Sequence, residues 1–174
     1  GQLLLMICII FVDLGVDCGP ILVQRGDGSN FFNRTWNEFK SEFGNTSGNY
    51  WIGNERLHQL TKDGRYKLRF DLQSRDNLQW YWAEYNTFTV GDESSGYVLQ
   101  VGGFSGNVSS DSGTTTGLMD SNGMKFTTKD RDNDLMTAGY DQYSNNCAVW
   151  VGGGFWYSAC ANCGVNTVRD QGRF

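Results

Sequence analysis

Three aspartates alternate with other residues near the middle of the C-terminal half of the chain: Asp130, Asp132 and Asp134. In an extended strand this spacing would place the carboxylates along one face, whereas a tight loop would point them at one centre. Hard cations such as Ca²⁺ take several oxygen ligands, partly from carboxylates and partly from backbone carbonyls. The spacing therefore predicts a candidate calcium site.

The EF-hand is one alternative for this acidic run. With Asp130 as position 1, the next two aspartates occupy positions 3 and 5, and Asp141 occupies position 12. Position 6, however, is Leu135, where the EF-hand turn requires glycine, and no helical pattern flanks the run. The EF-hand is therefore excluded, and a solvated acidic turn without an ion is the other alternative.

Short motifs spread over most of the chain match a single protein family. They are DGS at 27–29, FNRTW at 32–36, WIGNE at 51–55, AEY at 83–85, NGMKF at 122–126, TKDRDND at 128–134, and FWY at 155–157 between Cys147 and Cys160. Together these motifs resemble the fibrinogen C-terminal-like domain of fibrinogen, ficolins, tachylectins and angiopoietins. The resemblance covers residues 23–166. It implies an α+β fold with a central twisted antiparallel sheet, two short helices and a loop-rich C-terminal calcium and ligand region.

The resemblance also implies which atoms would hold the ion. Asp132 and Asp134 would provide carboxylates, and backbone carbonyls would come from Met136 and Ala138. Asp130 would contribute only indirectly, for example through water.

A disulfide and a ligand surface follow from the same resemblance. The family closes a disulfide at the positions of Cys147 and Cys160, around an aromatic hairpin. Ficolin-like members bind acetylated sugars in a cleft near the calcium site, and the matching positions here are Trp150, Val151 and Ala161. Alanine stands where the family commonly has histidine, and valine where polar side chains are common. We therefore expect weak or absent binding of N-acetylated sugars, since such pockets depend on a few placed polar groups.

The chain begins with an unbroken run of ten apolar residues at 3–12. That is too short for a bilayer span, which takes roughly 20 residues, but it matches the apolar core of a secretory signal. We therefore expect a signal-like segment over 1–17 and a fibrinogen-like domain, truncated at its C-terminal part, over 18–174. The alternative is a buried first strand.

Composition narrows the class of protein further. A net charge of −5 over 174 residues argues against a nucleic-acid partner, which needs a basic surface. One histidine, without a nucleophile elbow, phosphate-binding loop or zinc spacing, gives no basis for catalysis. Five cysteines, an odd number, leave at least one without a partner in the chain. Together with three glycosylation sequons they favour a secreted glycoprotein; the sequons begin at Asn33, Asn45 and Asn107.

Apolar periodicity gives a coarse secondary structure. Helices are predicted at 35–43, where Thr35 and Glu38 form a capping box, and at 54–60, capped by Asn54. Strands are predicted at 21–24, 66–73, 78–90 and 97–101. The third of these is rich in aromatic residues on both sides, and we expect it to be covered on both faces. Early helices followed by antiparallel strands predict an α+β fold.

Two functional hypotheses follow. The first is a secreted, non-enzymatic, calcium-binding recognition domain that binds glycans or other surface groups, as lectin-like members do in innate immunity. The second is a protein-interaction, extracellular-matrix or adhesion module that acts as a receptor ligand. The tripeptide Arg25-Gly26-Asp27 is a candidate adhesive motif, although Asp-Gly also suits a hairpin turn. The expected partners are glycans or cell-surface and extracellular proteins; a homo-oligomer is compatible with both hypotheses, and a stable membrane span is not expected.

Overall fold

The computed structural model describes residues 3–11, 21–25, 30–74, 78–107, 117–137, 145–158 and 160. Its strands are β1 (Leu3–Phe11), β2 (Ile21–Arg25), β3 (Phe43–Gly44), β4 (Tyr50–Trp51), β5 (Tyr66–Ser74), β6 (Trp80–Val90) and β7 (Leu99–Gly106). Its α-helices are α1 (Trp36–Lys40), α2 (Asn54–Thr61) and α3 (Cys147–Val151), and short 3₁₀ turns lie at Asn30–Phe32, Glu93–Ser95 and Gly117–Ser121.

The seven described strands form one antiparallel sheet in the order β3-β4-β2-β1-β5-β6-β7. The predicted α+β class, with a central antiparallel sheet and short helices, is confirmed. No helix in the described part of the chain is both long enough and apolar enough to cross a membrane.

The apolar start of the chain lies inside this sheet. Strand β1 pairs with β2 on one side and, over its whole length, with β5 on the other. Its residues Ile7 and Ile9 stand opposite Phe70 and Leu68, which are both buried. Most of this run is therefore a strand in the structure, paired along its length with β5. The signal-like segment over 1–17 and the domain over 18–174 stay predictions.

Helix α1 begins as the capping box predicts and ends earlier than its apolar pattern predicts. The Glu38 carboxylate accepts the backbone N–H of Thr35 at 2.8 Å, and the Thr35 hydroxyl accepts the N–H of Glu38 at 3.4 Å. The helix ends at Lys40, and Phe43 pairs with Trp51 in the sheet. The prediction of a helix through residue 43 was therefore wrong, because strand pairing takes precedence over the helical spacing of the aromatic residues.

Helix α2 is preceded by Gly53 rather than capped by Asn54, which corrects the prediction. Gly53 has φ 96°, a conformation that L side chains rarely adopt, and a Cβ there would lie 2.9 Å from the carbonyl carbon of Ser41. Asn54 is the first helical residue and is fully buried. Glycine is therefore required where α2 passes the end of α1.

Aromatic side chains from distant segments form the centre of the core. The Phe39 ring lies 5.4 Å from Trp51 and 5.1 Å from Phe126, and the Phe126 ring lies 4.9 Å from Trp156. A Cβ on Gly154 would come within 2.6 Å of the Phe39 ring, so only glycine lets the C-terminal segment pack this closely. These contacts join the cysteine-flanked segment to α1 and the sheet.

Strand β6 is covered on one face only, contrary to the prediction. Ala83 and Tyr85 are buried, whereas Trp80 on the other face is 52% exposed. Strand β7 pairs with β6 up to Gly106, beyond the end predicted at residue 101. The aromatic composition of β6 does not distinguish its two faces, because tryptophan occurs on the open one.

Candidate metal centre

Asp134 fixes the acidic loop to the start of α3. One of its carboxylate oxygens accepts the backbone N–H of Cys147 at 2.8 Å, and the other accepts that of Met136 at 2.9 Å. The neighbouring Asn146 caps α3 by accepting the N–H of Val149, and its amide nitrogen donates to the Thr128 carbonyl at 2.9 Å. Both ends of the loop are therefore held against the same helix end.

Asp132 lies beside Asp134 on the solvent side of the loop. Its side chain is exposed, and it accepts the backbone N–H of Asp134 at 3.3 Å. Burial raises the pKa of the Asp134 carboxyl, and the nearby Asp132 carboxylate acts in the same direction, against the two backbone donors. A cation bound between the two groups would offset this repulsion and favour both charged forms.

Asp130 has a structural partner that the sequence did not indicate. Its Oδ1 accepts the backbone N–H of Trp36 and the hydroxyl of Thr128, both at 2.8 Å. The guanidinium of Arg131 lies 3.9 Å from the Trp36 ring centroid, within the range of a cation–π contact. Asp130 thus ties the loop to the first residue of α1, and its indirect metal role stays a prediction.

The residues present fit a hard cation. The predicted carboxylates, Asp132 and Asp134, are neighbours, and Met136 follows them on the same loop, whereas Ala138 lies outside the described residues. Across the described ranges, no three His, Cys, Asp or Glu side chains converge on one point. As the family resemblance implies, backbone carbonyls would complete the ligand set, and an all-oxygen set of this kind would suit Ca²⁺.

Cys147 and Cys160 are joined in a disulfide, as predicted. Both cysteines are buried, and 13 positions separate them in the sequence. The enclosed segment is not the hairpin that was expected, because Cys147 opens helix α3, and beyond that helix Phe155 forms an isolated bridge with Thr127. Cys18 and Cys163 lie outside the described residues. The disulfide therefore joins the first residue of α3, to which Asp134 is hydrogen-bonded, to Cys160.

The family model described as fibrinogen beta and gamma chains, C-terminal globular domain, matches residues 8–173. The chain belongs to this family. Fibrinogen-like protein 1 of Rattus norvegicus is 36% identical over 95% of this chain and 53% of its own length. Ryncolin-4 of Cerberus rynchops is 35% identical over 95% of this chain and 45% of its own length. The chain thus spans about half the length of these curated relatives.

Solved structures share the fold of this fibrinogen-like domain. The fibrinogen-like globe domain of human ANGPTL2 superimposes with a TM-score of 0.69 at 38% identity, covering 86% of this chain and 63% of that one. Lamprey fibrin D-dimer, complexed with the peptide ligand Gly-His-Arg-Pro-amide, gives a TM-score of 0.65 at 30% identity and covers 82% of this chain and 46% of that one.

The predicted ligand surface of the fibrinogen-like domain is only partly available. Trp150 is half-buried, whereas Val151 is only 1% exposed and packs in the core, so its side chain cannot contact a ligand. Ala161 lies outside the described residues. Val149 and Leu135 are exposed beside the acidic loop, and sequence reasoning missed both. The helical spacing of α3 would have indicated Val149, since Cys147 and Val151 on its other side are buried.

The three sequon asparagines of the fibrinogen-like domain are all exposed, as attachment of a glycan requires. The Asn45 side-chain oxygen accepts the backbone N–H and the hydroxyl of Ser47 within one turn. The carbonyl of Asn33 accepts the Lys129 ammonium, and the Asn107 side chain bonds to β6. Glycosylation at these positions stays a prediction.

Proposed function

We propose that this fibrinogen-like domain is an extracellular, non-enzymatic module that binds calcium and recognises glycans or other surface groups in innate defence. One observation supports the proposal most. Asp134 is held in place by two backbone donors, while Asp132 stands beside it open to solvent. A carboxylate pair in which one member is already positioned loses little conformational freedom when a cation binds.

Calcium, when bound, supplies the positive charge that holds the acidic loop in one conformation. Asp132 and Asp134 would provide carboxylate ligands, and Met136 and Ala138 would provide backbone carbonyls. Because Asp134 also bonds to the first residue of α3, ordering of the loop extends to that helix. The calcium would in this way shape the surface that meets the ligand.

The surface beside the loop combines charge with apolar side chains. Leu135 is 64% exposed and Val149 is 42% exposed, and Trp150 is half-buried on the same helix as Val149. Sugar rings present both apolar C–H faces and hydroxyl groups, so a surface of this kind suits a glycan larger than one residue. The histidine His58 lies elsewhere, where its Nδ1 is 2.9 Å from the Val90 carbonyl, and it has no place in this surface.

A glycan array probed with and without calcium tests the proposal. Wild-type protein is expected to bind a subset of glycans in calcium and to lose that binding in chelator. The variant Asp132→Asn, which keeps the side-chain oxygen but loses the charge, is expected to bind weakly in both conditions. Equal binding by wild type in calcium and in chelator would contradict the calcium-dependent part of the proposal.

A second candidate function is recognition of a protein or peptide. The exposed Leu135 and Val149 favour it, as does the peptide ligand named for the lamprey fibrin structure. Titration with Gly-His-Arg-Pro-amide and a scrambled peptide, followed by tryptophan fluorescence, tests this function directly. Of the adhesive tripeptide, Arg25 ends β2, and Gly26 and Asp27 lie outside the described residues. Loss of cell adhesion in Arg25→Ala, with unchanged glycan binding, would favour the adhesion function.

A further inference from the structure

The open face of the sheet carries an apolar patch that the proposed function does not use. This outer patch consists of Trp80 and Trp82 on β6, together with the exposed Leu78 just before the strand. Leu78 is 67% exposed and Trp80 is 52% exposed, and Trp82 lies half-buried with the Arg69 guanidinium 5.2 Å from its ring centroid. The two tryptophans share one face of β6, since they are two residues apart in the strand. Contiguous exposed apolar groups usually mark a surface that something covers.

Asn107 lies at the edge of the outer patch and bonds to the backbone of Trp82. The backbone N–H of Asn107 donates to the Trp82 carbonyl at 3.0 Å, and the backbone N–H of Trp82 donates to the Asn107 side-chain oxygen at 2.6 Å. Strand β7 ends at Gly106, so Asn107 continues the pairing with β6 by using its side chain in place of its backbone carbonyl. The position of the Asn107 amide relative to the outer patch is therefore fixed.

The hydrogen bond from Trp82 uses the side-chain oxygen of Asn107 and leaves its amide nitrogen available for attachment of a glycan. An asparagine side chain has one acceptor oxygen and one donor nitrogen, and N-linked glycans are attached through the nitrogen. Neither of the two bonds to Trp82 uses the Nδ2 atom of Asn107, and the residue is exposed. Asn107 is also the first residue of an Asn-Val-Ser sequon, the acceptor sequence for N-linked glycosylation.

We propose that an N-linked glycan on Asn107 folds back over the outer patch, with its first sugar rings covering Trp80 and Leu78. Two residues along β6, from Trp82 to Trp80, correspond to about 7 Å, a distance that the first sugars of an attached glycan can bridge. The C–H faces of the sugars would lie on the indole rings while their hydroxyls face water. The ion pair of Arg69 and Asp71, 3.1 Å apart, offers hydrogen-bonding groups at the rim of the patch.

The other two sequons lack this relationship and serve as internal controls. The Asn45 side chain bonds within its own turn, to Ser47. The bonds described for Asn33 are made by its backbone, to Asn30 and Lys129. Of the three predicted glycans, the one on Asn107 is thus attached at a side chain that bonds to the outer patch.

The test uses protein secreted by a glycosylating eukaryotic cell. Ser109→Ala removes the acceptor sequence but keeps the Asn107 side chain and its bond to Trp82. Ser47→Ala makes the same chemical change at the Asn45 sequon and is the matched control. Intact-mass analysis reports the occupancy of each site, and acrylamide quenching reports the exposure of the six tryptophans.

Ser109→Ala is expected to increase acrylamide quenching of tryptophan fluorescence, and Ser47→Ala is expected to leave it unchanged. In a Trp80→Thr background, Ser109→Ala should cause little further change, because Trp80 is the main side chain that the glycan protects. If Ser109→Ala is not secreted, enzymatic removal of glycans from the folded wild-type protein gives the same comparison. An unmodified Asn107 in the secreted wild type, or equal quenching with and without the glycan, would overturn the proposal.

Discussion

Asp130 accepts the backbone N–H of Trp36, a residue 94 positions earlier in the chain, at 2.8 Å. The bond connects the acidic loop of the fibrinogen-like domain to the first residue of α1. The Trp36 ring is held in turn by Arg131 on one side and by Tyr97, whose ring centroid lies 5.4 Å away. The geometry of the candidate calcium loop is therefore set by α1 as well as by the loop's own sequence.

Replacing Asp130 by alanine is expected to lower the free energy of unfolding by about 1–2 kcal/mol, because it leaves the Trp36 N–H without its acceptor. The loss should be similar with calcium and with chelator, since the bonds of Asp130 in the structure run to Trp36 and Thr128. Thermal melts in both conditions measure this. Asp130→Asn keeps the accepting oxygen and is the matched control, and an Asp130→Ala variant that loses its calcium response entirely would contradict the structural role.

Calcium is expected to raise the melting temperature of the wild-type protein. A ligand that binds only the folded state stabilises it by about 2.7 kcal/mol at 100 times its Kd. Asp132→Asn should abolish most of this increase, because Asp132 contributes little to the loop apart from one 3.3 Å hydrogen bond. Asp134 is a poorer choice for the test, since its loss would also release Cys147 and Met136. Superimposable melting curves in calcium and in chelator would refute the metal assignment.

The disulfide between Cys147 and Cys160 is expected to contribute roughly 3 kcal/mol to stability, the chain-entropy value for a loop of about this size. The double variant Cys147→Ala, Cys160→Ala should therefore unfold at a clearly lower denaturant concentration. Peptide mapping without reduction is expected to recover the two cysteines in one linked pair. Recovery of Cys163 linked to either of them would show a different disulfide framework.

Local sequence signals predicted the elements whose cause is local. The capping box of Thr35 and Glu38 marked the start of α1, and strict alternation marked β5 to within one residue of its end. Phe43 was assigned to a helix because it continues the apolar spacing of α1, but its pairing with Trp51 depends on a strand that forms elsewhere in the chain. The periodicity of apolar residues within one segment cannot reveal that the segment pairs with a distant strand.

The candidate site shows the same difference between features with a local cause and features that depend on distant residues. The spacing of the aspartates and the family resemblance indicated Asp132 and Asp134, which the structure places side by side. Nothing in the spacing indicated that Asp130 bonds to α1, because that bond spans most of the domain. Val151 was assigned to the ligand surface from its position after Cys147 in the family resemblance. In α3 it lies about one turn after Cys147, and both side chains are buried.

The capping box should make stability dependent on acid pH. The pKa of Glu38 falls from its usual 4.5 to about 2, chiefly through the backbone N–H of Thr35 and then through its hydroxyl and Arg34. A lowered pKa in the folded state means that the stabilisation is present above pH 4.5 and is lost as the pH falls towards 2. The side chain is 42% exposed, so solvent screening limits the effect to about 1 kcal/mol.

Unfolding free energies of wild type and Glu38→Gln between pH 6 and pH 2 measure this contribution. The variant is expected to be less stable than wild type at pH 6, with the difference shrinking towards pH 2. Thr35→Ser is a suitable control, since serine keeps both the cap and the sequon at Asn33. A difference between wild type and Glu38→Gln that stays constant over the whole range would contradict the low pKa.

N-acetylated sugars are expected to bind weakly or not at all beside the calcium loop. A small polar ligand is recognised by a few placed donors and acceptors in an otherwise apolar pocket. Here Val151 is buried, Trp150 is half-buried, and the two exposed apolar side chains beside the loop, Leu135 and Val149, carry no hydrogen-bonding group. A site without such groups discriminates poorly between small polar ligands. Larger glycans that rest on these apolar side chains should bind better than the monosaccharide.

Calorimetric titration with N-acetylglucosamine, paralleled by tryptophan fluorescence, is the measurement. Wild type should give no saturable signal with the monosaccharide, and Val149→Asp should weaken any binding of a larger glycan found on an array. Val90→Ala, a substitution in the core away from the loop, controls for a general loss of stability. Tight, calcium-dependent and saturable binding of the monosaccharide, abolished by Ala161→Trp, would contradict this prediction. It would show that the protein has a small polar pocket separate from the exposed Leu135 and Val149.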